Sequence, residues 1–399
     1  MDFALTAEHE MVRRTVREFA QGELAPLIKE ADRRQEPPEE MLPRMAAQGL
    51  LGICLPARYG GQGLDYLALG LACEELEAVD SSLRVVMSVH VGLNSLGLLQ
   101  WASEAQKQAF LVPQARGERI AAFGLTEPGA GSDAAAILSS ARREGEEYIL
   151  NGEKIWMSLA TRAHHVLWFA RTDPRAADPH DGLSAFLVET DRPGVTRGDL
   201  HGKLGVRAGS TGWVHLEEVR VPAANRIGQE GEGFAIAMSC LDNGRYTVAA
   251  GAAGLLRAAL ELSVKYALQR RTFGKEIARH QLIQEKIARM AQQYEIARLL
   301  YLRAGWMKNQ GLRNTRETSL AKWTATEAAF EAAHQALQIH GAYGYSDEFE
   351  AERLLRNARG ATIYEGTSEI HTLLQAGYAL GYRSDRPLRC ELPAHPLGM

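Results

Sequence analysis

The sequence predicts a mainly α fold with a central β domain: an N-terminal helical domain, a small antiparallel β-barrel-like domain and a C-terminal four-helix bundle. Three observations predict this architecture. Apolar residues recur at helical spacing towards both ends of the chain. Short, often alternating segments broken by turns fill the middle. The length of 399 residues is enough for two or three domains, each with its own core.

The first part of the chain, residues 1–118, is predicted to be a helical domain. Val12, Val16 and Phe19 are spaced four and three residues apart, as on one face of a helix. The stretch 85–103 lacks formal charge for long enough to suggest a membrane span. Several polar side chains interrupt it, so we expect a buried core helix and no membrane span.

Residues 119–227 are predicted to form the β domain, because segments such as "HHVLWFART" and "LSAFLVETD" are short and separated by turns. Residues 228–399 return to helical spacing. Ile283, Ile287 and Met290 recur at three and four, and the later helices also have apolar faces. Long helices of this kind are expected to pack as a bundle.

Composition excludes several classes of function. With 46% hydrophobic and 24% charged residues, the chain has the composition of an ordinary globular protein. Its formal net charge of −4 gives no general attraction to nucleic acid or to an anionic membrane, so we expect neither as a partner. A polyanionic ligand would therefore need a local basic site.

The cysteines and the N-terminus indicate the compartment. Cys54, Cys73, Cys240 and Cys390 are scattered, without a C-x-x-C pair or a histidine at ligand spacing. This argues for a reducing compartment and against a structural zinc site, and we expect no metal. The first residues, "MDFALTAEHEMVRR", contain early acidic residues and no apolar core of a signal peptide. A cytoplasmic location is therefore expected.

One motif is a decoy. The sequence "GAGSDA" at 129–134 matches the dinucleotide fingerprint G-x-G-x-x-A, and Glu153 lies near the distance expected for a ribose-binding acid. However, Pro128 precedes the motif, and the residues after it have the pattern of strand, turn and strand where the fingerprint needs a helix. We therefore expect a Gly-rich turn whose backbone can approach a ligand closely, and no Rossmann site.

Five segments, taken together, indicate a protein family more specifically than that single motif does. They occur in the order "FGLTEPGAGSD" at 123–133, "NGEKIWMS" at 151–158, "RRTFGK" at 270–275, "QIHGAYGY" at 338–345 and "YEGTSEI" at 364–370. With these segments the chain resembles the acyl-CoA dehydrogenase family over nearly its whole length. The resemblance implies FAD-dependent α,β-dehydrogenation of an acyl-CoA thioester to the 2-enoyl-CoA. It also implies an electron-transfer flavoprotein as partner and a homo-oligomer, commonly a tetramer.

Two other classes of function stay open. An acyl-CoA oxidase on the same fold would pass its electrons to O₂. A catalytically silent protein that only binds CoA esters is argued against by the intact Glu365 and Trp156.

The resemblance assigns a first group of FAD contacts to the β domain. Trp156 would pack against the flavin ring and exclude water. Ser158 replaces the usual threonine but keeps the hydroxyl that can hydrogen-bond the hydride-accepting nitrogen. Ser132 would also lie near the acyl-CoA. The group is Phe123, Leu125, Thr126, Ser132, Trp156 and Ser158.

A second group of FAD contacts would come from a neighbouring subunit. In it Arg270 offers a fork suited to pyrophosphate, and Phe273 offers an apolar contact. The group is Arg270, Phe273, Gln281, Gln338 and Gly341. The alternative for Arg270 is a solvated helix end, where a cation is favoured by the helix dipole.

The resemblance identifies Glu365 as the base that removes the α-proton. A carboxylate in a water-poor segment suits this role, because desolvation raises its pKa towards the working pH. Gly366 lets the backbone come close. Thr367 would contact the flavin phosphate, and Glu369 occupies a position often held by a polar residue that contacts the cofactor.

A subset of the family places its base just before an arginine of a C-terminal helix, a position that is Gly244 here. The alternative base is thus absent, which strengthens the assignment to Glu365. Asp242 and Arg245 match residues that contact the CoA and its pantetheine arm, although the two could also form a local helix ion pair. Tyr364 and Gly366, on either side of the base, complete this part of the acyl-CoA site.

The segment "EAVDSSLRVVMSV" at 77–89 resembles that of glutaryl-CoA dehydrogenases. In them an arginine at the position of Arg84 holds the distal carboxylate of the substrate, with Glu77 and Ser88 nearby. A buried arginine is costly unless it meets an anion, which favours a dicarboxylic acyl group. Asp80, four residues earlier, could instead pair with Arg84 on one helix face. Short- and medium-chain monocarboxylic acyl-CoA therefore stays an alternative substrate class.

Overall fold

The computed structural model describes residues 4–396 and confirms the predicted fold class: a helical N-terminal part, a central sheet and a helical C-terminal part, with 56% of the residues helical. The helices are α1 (Ala7–Phe19), α2 (Ala25–Arg34), α3 (Met41–Ala47), α4 (Tyr66–Glu77), α5 (Ser81–Val86), α6 (Leu96–Trp101), α7 (Glu104–Gln106), α8 (Val112–Ala115), α9 (Gly233–Gln269), α10 (Gln281–Asn309), α11 (Thr315–His340), α12 (Ala351–Ala361) and α13 (Ser368–Ala379). The π-helical turns Ala20–Leu24, Met87–Ser95 and Lys107–Leu111 join α1 to α2, α5 to α6 and α7 to α8.

The strands are β1 (Ala121–Gly124), β2 (Ser140–Glu144), β3 (Glu147–Ser158), β4 (His165–Arg171), β5 (Leu183–Glu189), β6 (Val195–Asp199), β7 (Thr211–Pro222), β8 (Arg226–Ile227), β9 (Arg271–Thr272) and β10 (Lys275–Glu276). The first eight form one sheet in the order β6-β7-β3-β2-β4-β5-β8, with β1 paired to β4. The last two form a separate small hairpin after α9.

The predicted sheet was wrong in two respects. It is mixed, because β1 runs parallel to β4, where a purely antiparallel sheet was expected. It is also open, because the two end strands of the order, β6 and β8, do not pair with each other, so no barrel closes. Periodicity reveals strands but not the direction of their pairing. The long connection 125–164 lets β1 and β4 run parallel, which a short hairpin cannot do.

The three long helices α9, α10 and α11 pack on one another, and α13 packs on α11. From the N-terminal part, α4 packs on both α9 and α10, so the two helical parts share one core. Gly254 makes this packing possible. A Cβ at that position would lie 1.9 Å from the carbonyl oxygen of Glu74 on α4, so only glycine allows the two backbones to approach so closely.

Two helical segments, Ser81–Trp101 and Gly233–Gln269, are long and apolar enough to cross a membrane by composition. Their most apolar windows are 100% and 72% buried inside the protein. Both are therefore core helices of the fold, as expected for the stretch 85–103. The division into domains at 118/119 and 227/228 stays a prediction.

Candidate active site

A β-bulge turns Trp156 out of the sheet. The register between β3 and β7 shifts between Ile155 and Met157, and Trp156 in between has a left-handed backbone with φ of 61°. Such a conformation is unusual for a residue with a large side chain. As a result the indole is 62% exposed, where an aromatic side chain of a strand would ordinarily be buried. Ser158 lies two residues on, still on β3 and paired with Thr211.

The loop after β1 lies beside this bulge. The backbone N–H of Ile155 donates to the carbonyl of Thr126 at 3.0 Å, so the predicted contacts Phe123, Leu125 and Thr126 lie next to Trp156 in the fold. Ser132 is exposed on the following turn. The residues of the decoy motif form turns and a short 3₁₀ segment without an α-helix, which confirms that no Rossmann helix follows it.

Two residues that hold this loop were missed in the sequence. The ammonium of Lys154, fully buried, donates to the carbonyl of Leu125 at 3.0 Å and to the carboxylate of Glu127 at 2.7 Å. Glu127 also accepts the backbone N–H groups of Leu138 and Ser139. Both residues stand inside the motifs "LTEP" and "NGEK", but a Lys–Glu pair 27 positions apart gives no local pattern that would reveal it.

The second group of predicted contacts lies at the end of the helical bundle where α9 ends and α10 begins. Arg270 follows α9 and lies over the ring of Tyr343, at 5.8 Å from its centre. Phe273 is 94% exposed and has a φ of 49°. Gln281, Gln338 and Gly341 are exposed at the same end. In the described part of the chain, no hydrogen bond, ion pair or ring contact joins this group to the one around Trp156.

Glu365 lies in a strained turn between α12 and α13. Its φ is 55°, and that of Gly366 is 100°, so two consecutive residues have positive φ. For a residue with a side chain this conformation costs on the order of 1–3 kcal/mol, and it is often found at functional sites. The strain turns the carboxylate towards α9. A Cβ on Gly244 would lie 2.2 Å from Oε2 of Glu365 and 2.6 Å from Leu93.

The carboxylate of Glu365 has no hydrogen-bond partner within residues 4–396, and its oxygen Oε2 is buried. The residue as a whole retains some solvent contact, but the burial of the carboxylate decides its titration. Burial raises the pKa of Glu365 to about 7, although Arg84, Lys322 and Arg245 act against the shift through their positive charge. A carboxylate with this pKa can accept a proton near neutral pH.

Two buried cations hold the backbone of the turn. Arg245 on α9 donates from Nε to the carbonyl of Glu365 at 3.0 Å, and Lys322 on α11 donates from Nζ to the carbonyl of Gly366 at 2.7 Å. Each residue is buried. Arg245 was predicted, from the family resemblance, as a contact of the CoA and its pantetheine arm. Lys322 was missed because it stands in an ordinary helical pattern.

Arg84 is buried, with 1% of its surface exposed, and its partner is Glu77. Its Nε donates to Glu77 at 2.6 Å and its Nη1 to Ser88 at 2.9 Å, while its Nη2 donates to the hydroxyl of Tyr364. Burial alone would lower the pKa of Arg84, but Glu77 and Tyr364 outweigh it and hold the pKa above its usual range. The guanidinium is therefore charged and lies beside Tyr364, the residue that precedes Glu365.

The alternative pairing of Arg84 with Asp80 was wrong. Asp80 caps α5 by accepting the backbone N–H of Ser82 at 2.8 Å, and its other oxygen lies 3.2 Å from Arg353. It also accepts the amide of Asn357 at 2.9 Å. Because both carboxylate oxygens are engaged there, Asp80 is not the counter-ion of Arg84.

The remaining predicted residues surround this turn or lie further out on α13. Asp242 and Arg245 do form the local ion pair, at 3.6 Å, and the other oxygen of Asp242 accepts the hydroxyl of Thr315 at 2.6 Å. Thr367 caps α13 by accepting the N–H of Ile370 at 3.4 Å, and Glu369 is exposed in the first turn of that helix. In residues 4–396, no group of three or more His, Cys, Asp and Glu side chains could hold a metal ion.

Three family models match the chain: the N-terminal domain of acyl-CoA dehydrogenases at 6–118, the middle domain at 122–219 and the C-terminal domain at 231–378. Among curated relatives, the mitochondrial short-chain specific acyl-CoA dehydrogenase of Mus musculus is 43% identical over 381 residues, which cover 95% of this chain and 92% of the relative.

Two solved structures represent the neighbours in fold. Butyryl-CoA dehydrogenase from Megasphaera elsdenii superposes with a TM-score of 0.93 at 37% identity, covering 95% of this chain and all of that one. A glutaryl-CoA dehydrogenase in complex with glutaryl-CoA superposes with a TM-score of 0.94 at 36% identity, covering 99% of this chain and all of that one. Members of the family are FAD flavoproteins. The chain therefore belongs to the acyl-CoA dehydrogenase family and is an oxidoreductase.

Proposed function

We propose that this protein catalyses the FAD-dependent α,β-dehydrogenation of an acyl-CoA thioester and that Glu365 is its base. One observation carries the assignment: the buried, unpartnered carboxylate oxygen of Glu365 beside Gly244. A buried carboxylate oxygen without a protein partner calls for an explanation, and beside Gly244 of α9 a bound ligand or a reaction supplies one. An ion pair or a water-exposed carboxylate would not have a pKa of about 7.

The chain's own residues support proton abstraction in three ways. Burial makes the ionised carboxylate of Glu365 more basic than it would be in water. Arg245 and Lys322 hold the carbonyls of Glu365 and Gly366, which belong to two consecutive peptide bonds, so the carboxylate keeps its direction. The proton leaves the α-carbon of the thioester and is taken up by Glu365. Leu93 provides an apolar wall beside the carboxylate and helps to exclude water.

The residues around the bulge fit FAD. The exposed Trp156 offers a flat apolar face, and no atom lies within 4 Å of a Cβ built on Gly129 or Gly131, so the neighbouring turn is open to a ligand. In our proposal Phe123, Leu125, Thr126, Ser132, Trp156, Ser158, Thr367 and Glu369 hold the cofactor. When bound, FAD supplies the acceptor for the hydride that leaves the β-carbon. A related glutaryl-CoA dehydrogenase from Mycobacterium smegmatis has been solved with FADH2.

The second group, Arg270, Phe273, Gln281, Gln338 and Gly341, is proposed to hold the FAD of a neighbouring subunit. The apolar ring of Phe273 supports this, because it is 94% exposed and its ring contact in the described residues is the edge-on one with His280 at 6.0 Å. Gly274 and Gly341 likewise have no atom within 4 Å of an added Cβ. We therefore propose a homo-oligomer, and a tetramer agrees with what is typical of the family.

The acyl group is proposed to be short, with a dicarboxylic, glutaryl-like chain as the first candidate. Arg84 supports it, because its guanidinium is buried, charged and bonded to Tyr364, the residue directly before the base. A short chain whose α-carbon meets Glu365 would then end near this cation. Glu77 argues for the monocarboxylic alternative, because it already neutralises Arg84. Asp242 and Arg245, with Ser88, Ser132, Tyr364 and Gly366, complete the proposed acyl-CoA site.

We propose an electron-transfer flavoprotein as the electron acceptor. In support, a chain of the solved structure of the electron-transferring flavoprotein of Acidaminococcus fermentans superposes on this one with a TM-score of 0.93. An oxidase on the same fold is the alternative, and an oxygen electrode distinguishes the two. A cytoplasmic location is part of the proposal, supported by four cysteines that form no disulfide.

Glu365→Gln tests the base. The amide keeps the shape of the side chain but cannot take up the proton, so kcat should fall by roughly 10²–10⁴-fold, the range of a general base. The measurement is anaerobic bleaching of the flavin by acyl-CoA in a stopped-flow instrument. Glu146→Gln, an exposed glutamate in the turn between β2 and β3, is the matched control and should bleach at the wild-type rate. If Glu365→Gln bleaches as fast as wild type, the assignment is wrong.

Gly244→Ala tests the close approach of the carboxylate to α9. The added methyl group would lie 2.2 Å from Oε2 of Glu365 and must displace it. Because a shift of about 1 Å in a reacting group costs on the order of 10²-fold in rate, kcat should fall by roughly 10–100-fold. Gly92→Ala is the matched control, because its Cβ would make only ordinary contacts, the nearest at 3.4 Å, with the same stretch of α9. Equal rates for both variants would contradict this geometry.

The substrate class is tested by comparing kcat/KM for glutaryl-CoA, butyryl-CoA and octanoyl-CoA. Arg84→Ala alone would leave Glu77 buried and unpaired, which costs about 3–5 kcal/mol. The double variant Arg84→Met with Glu77→Gln removes both charges and is the better test. A distal carboxylate held by Arg84 predicts that the double variant loses at least 10-fold more on glutaryl-CoA than on butyryl-CoA.

Glu77→Gln alone is the control that keeps the cation and should keep glutaryl-CoA turnover. An equal loss on all three substrates would remove the dicarboxylic hypothesis. So would a wild-type preference for an unbranched monocarboxylic chain.

A further inference from the structure

Lys322 is a buried cation with an unusual set of contacts. It stands in the middle of α11 and has no exposed surface. Its Nζ donates to the carbonyl of Gly366 at 2.7 Å, and in the described part of the chain no carboxylate lies within ion-pair distance of it. A buried ammonium that meets only a neutral carbonyl is expensive, because desolvation disfavours the charge.

The carbonyl that Lys322 holds belongs to the strained turn. Glu365 and Gly366 both have positive φ, and such a pair persists only where the surroundings fix it. The fixation comes from two directions: Arg245 on α9 holds the carbonyl of Glu365, and Lys322 on α11 holds the next one. Since α9 and α11 pack along their length, the two donors form a rigid clamp across the turn.

The charge of Lys322 also acts on the base. Burial lowers the pKa of Lys322 to about 7, while the carboxylate of Glu365 acts to raise it and the neighbouring cations to lower it. Conversely, Lys322 is among the three cations that lower the pKa of Glu365 against the effect of burial. The titratable and charged groups around this turn are Glu77 and Arg84 from the N-terminal part, Asp242 and Arg245 from α9, Lys322 and Glu327 from α11, Arg359 from α12, Glu369, His371 and Tyr378 from α13, and Tyr364 and Arg383.

His371 does not compete for the proton in this range. It is buried, its Nδ1 lies 2.8 Å from the hydroxyl of Ser319, and burial lowers its pKa to about 3. Among the groups on α11 and α13, Lys322 is thus the one whose charge can set the ionisation of the base near neutral pH.

We propose that Lys322 is a positioning residue for the base: with Arg245 it clamps the turn so that the carboxylate of Glu365 stays beside Gly244, and its positive charge favours the ionised form of that carboxylate. The inference rests on the proposed function, because it presupposes that Glu365 is the base. A neutral donor such as glutamine could satisfy the carbonyl of Gly366 without the cost of a buried ammonium. Holding the carbonyl of Gly366 therefore does not require the positive charge of Lys322.

The test is the pH dependence of kcat/KM in Lys322→Gln, Lys322→Met and Lys322→Arg. Wild type should gain activity as pH rises through about 7, where Glu365 ionises. Because burial lowers the pKa of Lys322 to about the same value, this wild-type midpoint belongs to the coupled pair of Glu365 and Lys322. Loss of the cation should raise the pKa of the base, so the midpoint should move up by about one pH unit in Lys322→Gln and Lys322→Met. Lys322→Arg carries a positive charge throughout this pH range, so its midpoint should not rise above the wild-type value. Lys322→Gln keeps a donor for the carbonyl and stays informative if Lys322→Met does not fold.

Lys308→Met is the matched control for burial. Lys308 is buried on α10, donates to Asn243 at 2.8 Å and has a pKa that burial lowers to about 8, but it has no contact with residues 364–367. It should lose thermal stability, as Lys322→Met does, without a shift of the pH midpoint. A second readout, independent of turnover, is the infrared carboxyl band of Glu365 followed against pH and assigned with Glu365→Gln.

The possible outcomes distinguish a failure of the role proposed for Lys322 from a failure of the assignment of Glu365 as the base. If Lys322→Gln loses stability or kcat while the midpoint and the infrared titration stay at the wild-type value, Lys322 has a structural role only and this inference is overturned. If Glu365→Gln turns over at more than a tenth of the wild-type rate, the base assignment itself fails, whatever Lys322 does. A shift in both Lys322→Gln and Lys308→Met would also overturn the inference, because the effect would then belong to buried lysines in general.

Discussion

The close approach of the Glu365 carboxylate to the backbone of α9 is the constraint on which the active site depends. Gly244 provides the space, since any side chain there would occupy the position of Oε2. The same contact removes the carboxylate oxygen from water and leaves it without a partner, which raises its pKa. The close contact with Gly244 thus accounts both for the position of the Glu365 carboxylate and for its raised pKa. A glutamate side chain at position 244 would need the volume that the carboxylate of Glu365 occupies, so the two positions cannot both carry one.

Three cations, Arg84, Arg245 and Lys322, act on the carboxylate of Glu365, but none of them forms an ion pair with it within residues 4–396. Arg84 is neutralised by Glu77, and Arg245 lies 3.6 Å from Asp242, whereas Lys322 has no acid within ion-pair distance in residues 4–396. A direct ion pair would hold Glu365 ionised but would make it a poor base, because its pKa would fall. Hydrogen bonds to the carbonyls of Glu365 and Gly366 fix the turn and leave the carboxylate of Glu365 free. The strained backbone and the buried charges each destabilise the folded protein, and this arrangement requires both.

The sequence predicted the helices and the existence of the strands, because those depend on local period, and a contiguous motif singled out Glu365 as a candidate. It did not predict that β1 runs parallel to β4, since pairing direction depends on how a long connection returns. It did not identify Glu77 as the partner of Arg84, because Asp80 is at the better helical spacing but is used as a helix cap. Lys322 was missed because a lysine in "SLAKWTATEAA" resembles a solvated helix position. Only the fold brings it to a turn 44 residues away.

The most direct test of the central claim is the ionisation of Glu365 itself in the unliganded protein. Its carboxyl carbon, labelled with carbon-13 and assigned by comparison with Glu365→Gln, can be titrated by NMR. A buried carboxylate beside Gly244 predicts an apparent pKa of about 7. A value near 4.5, ordinary for a glutamate in water, would show that the side chain is solvated and would contradict the account.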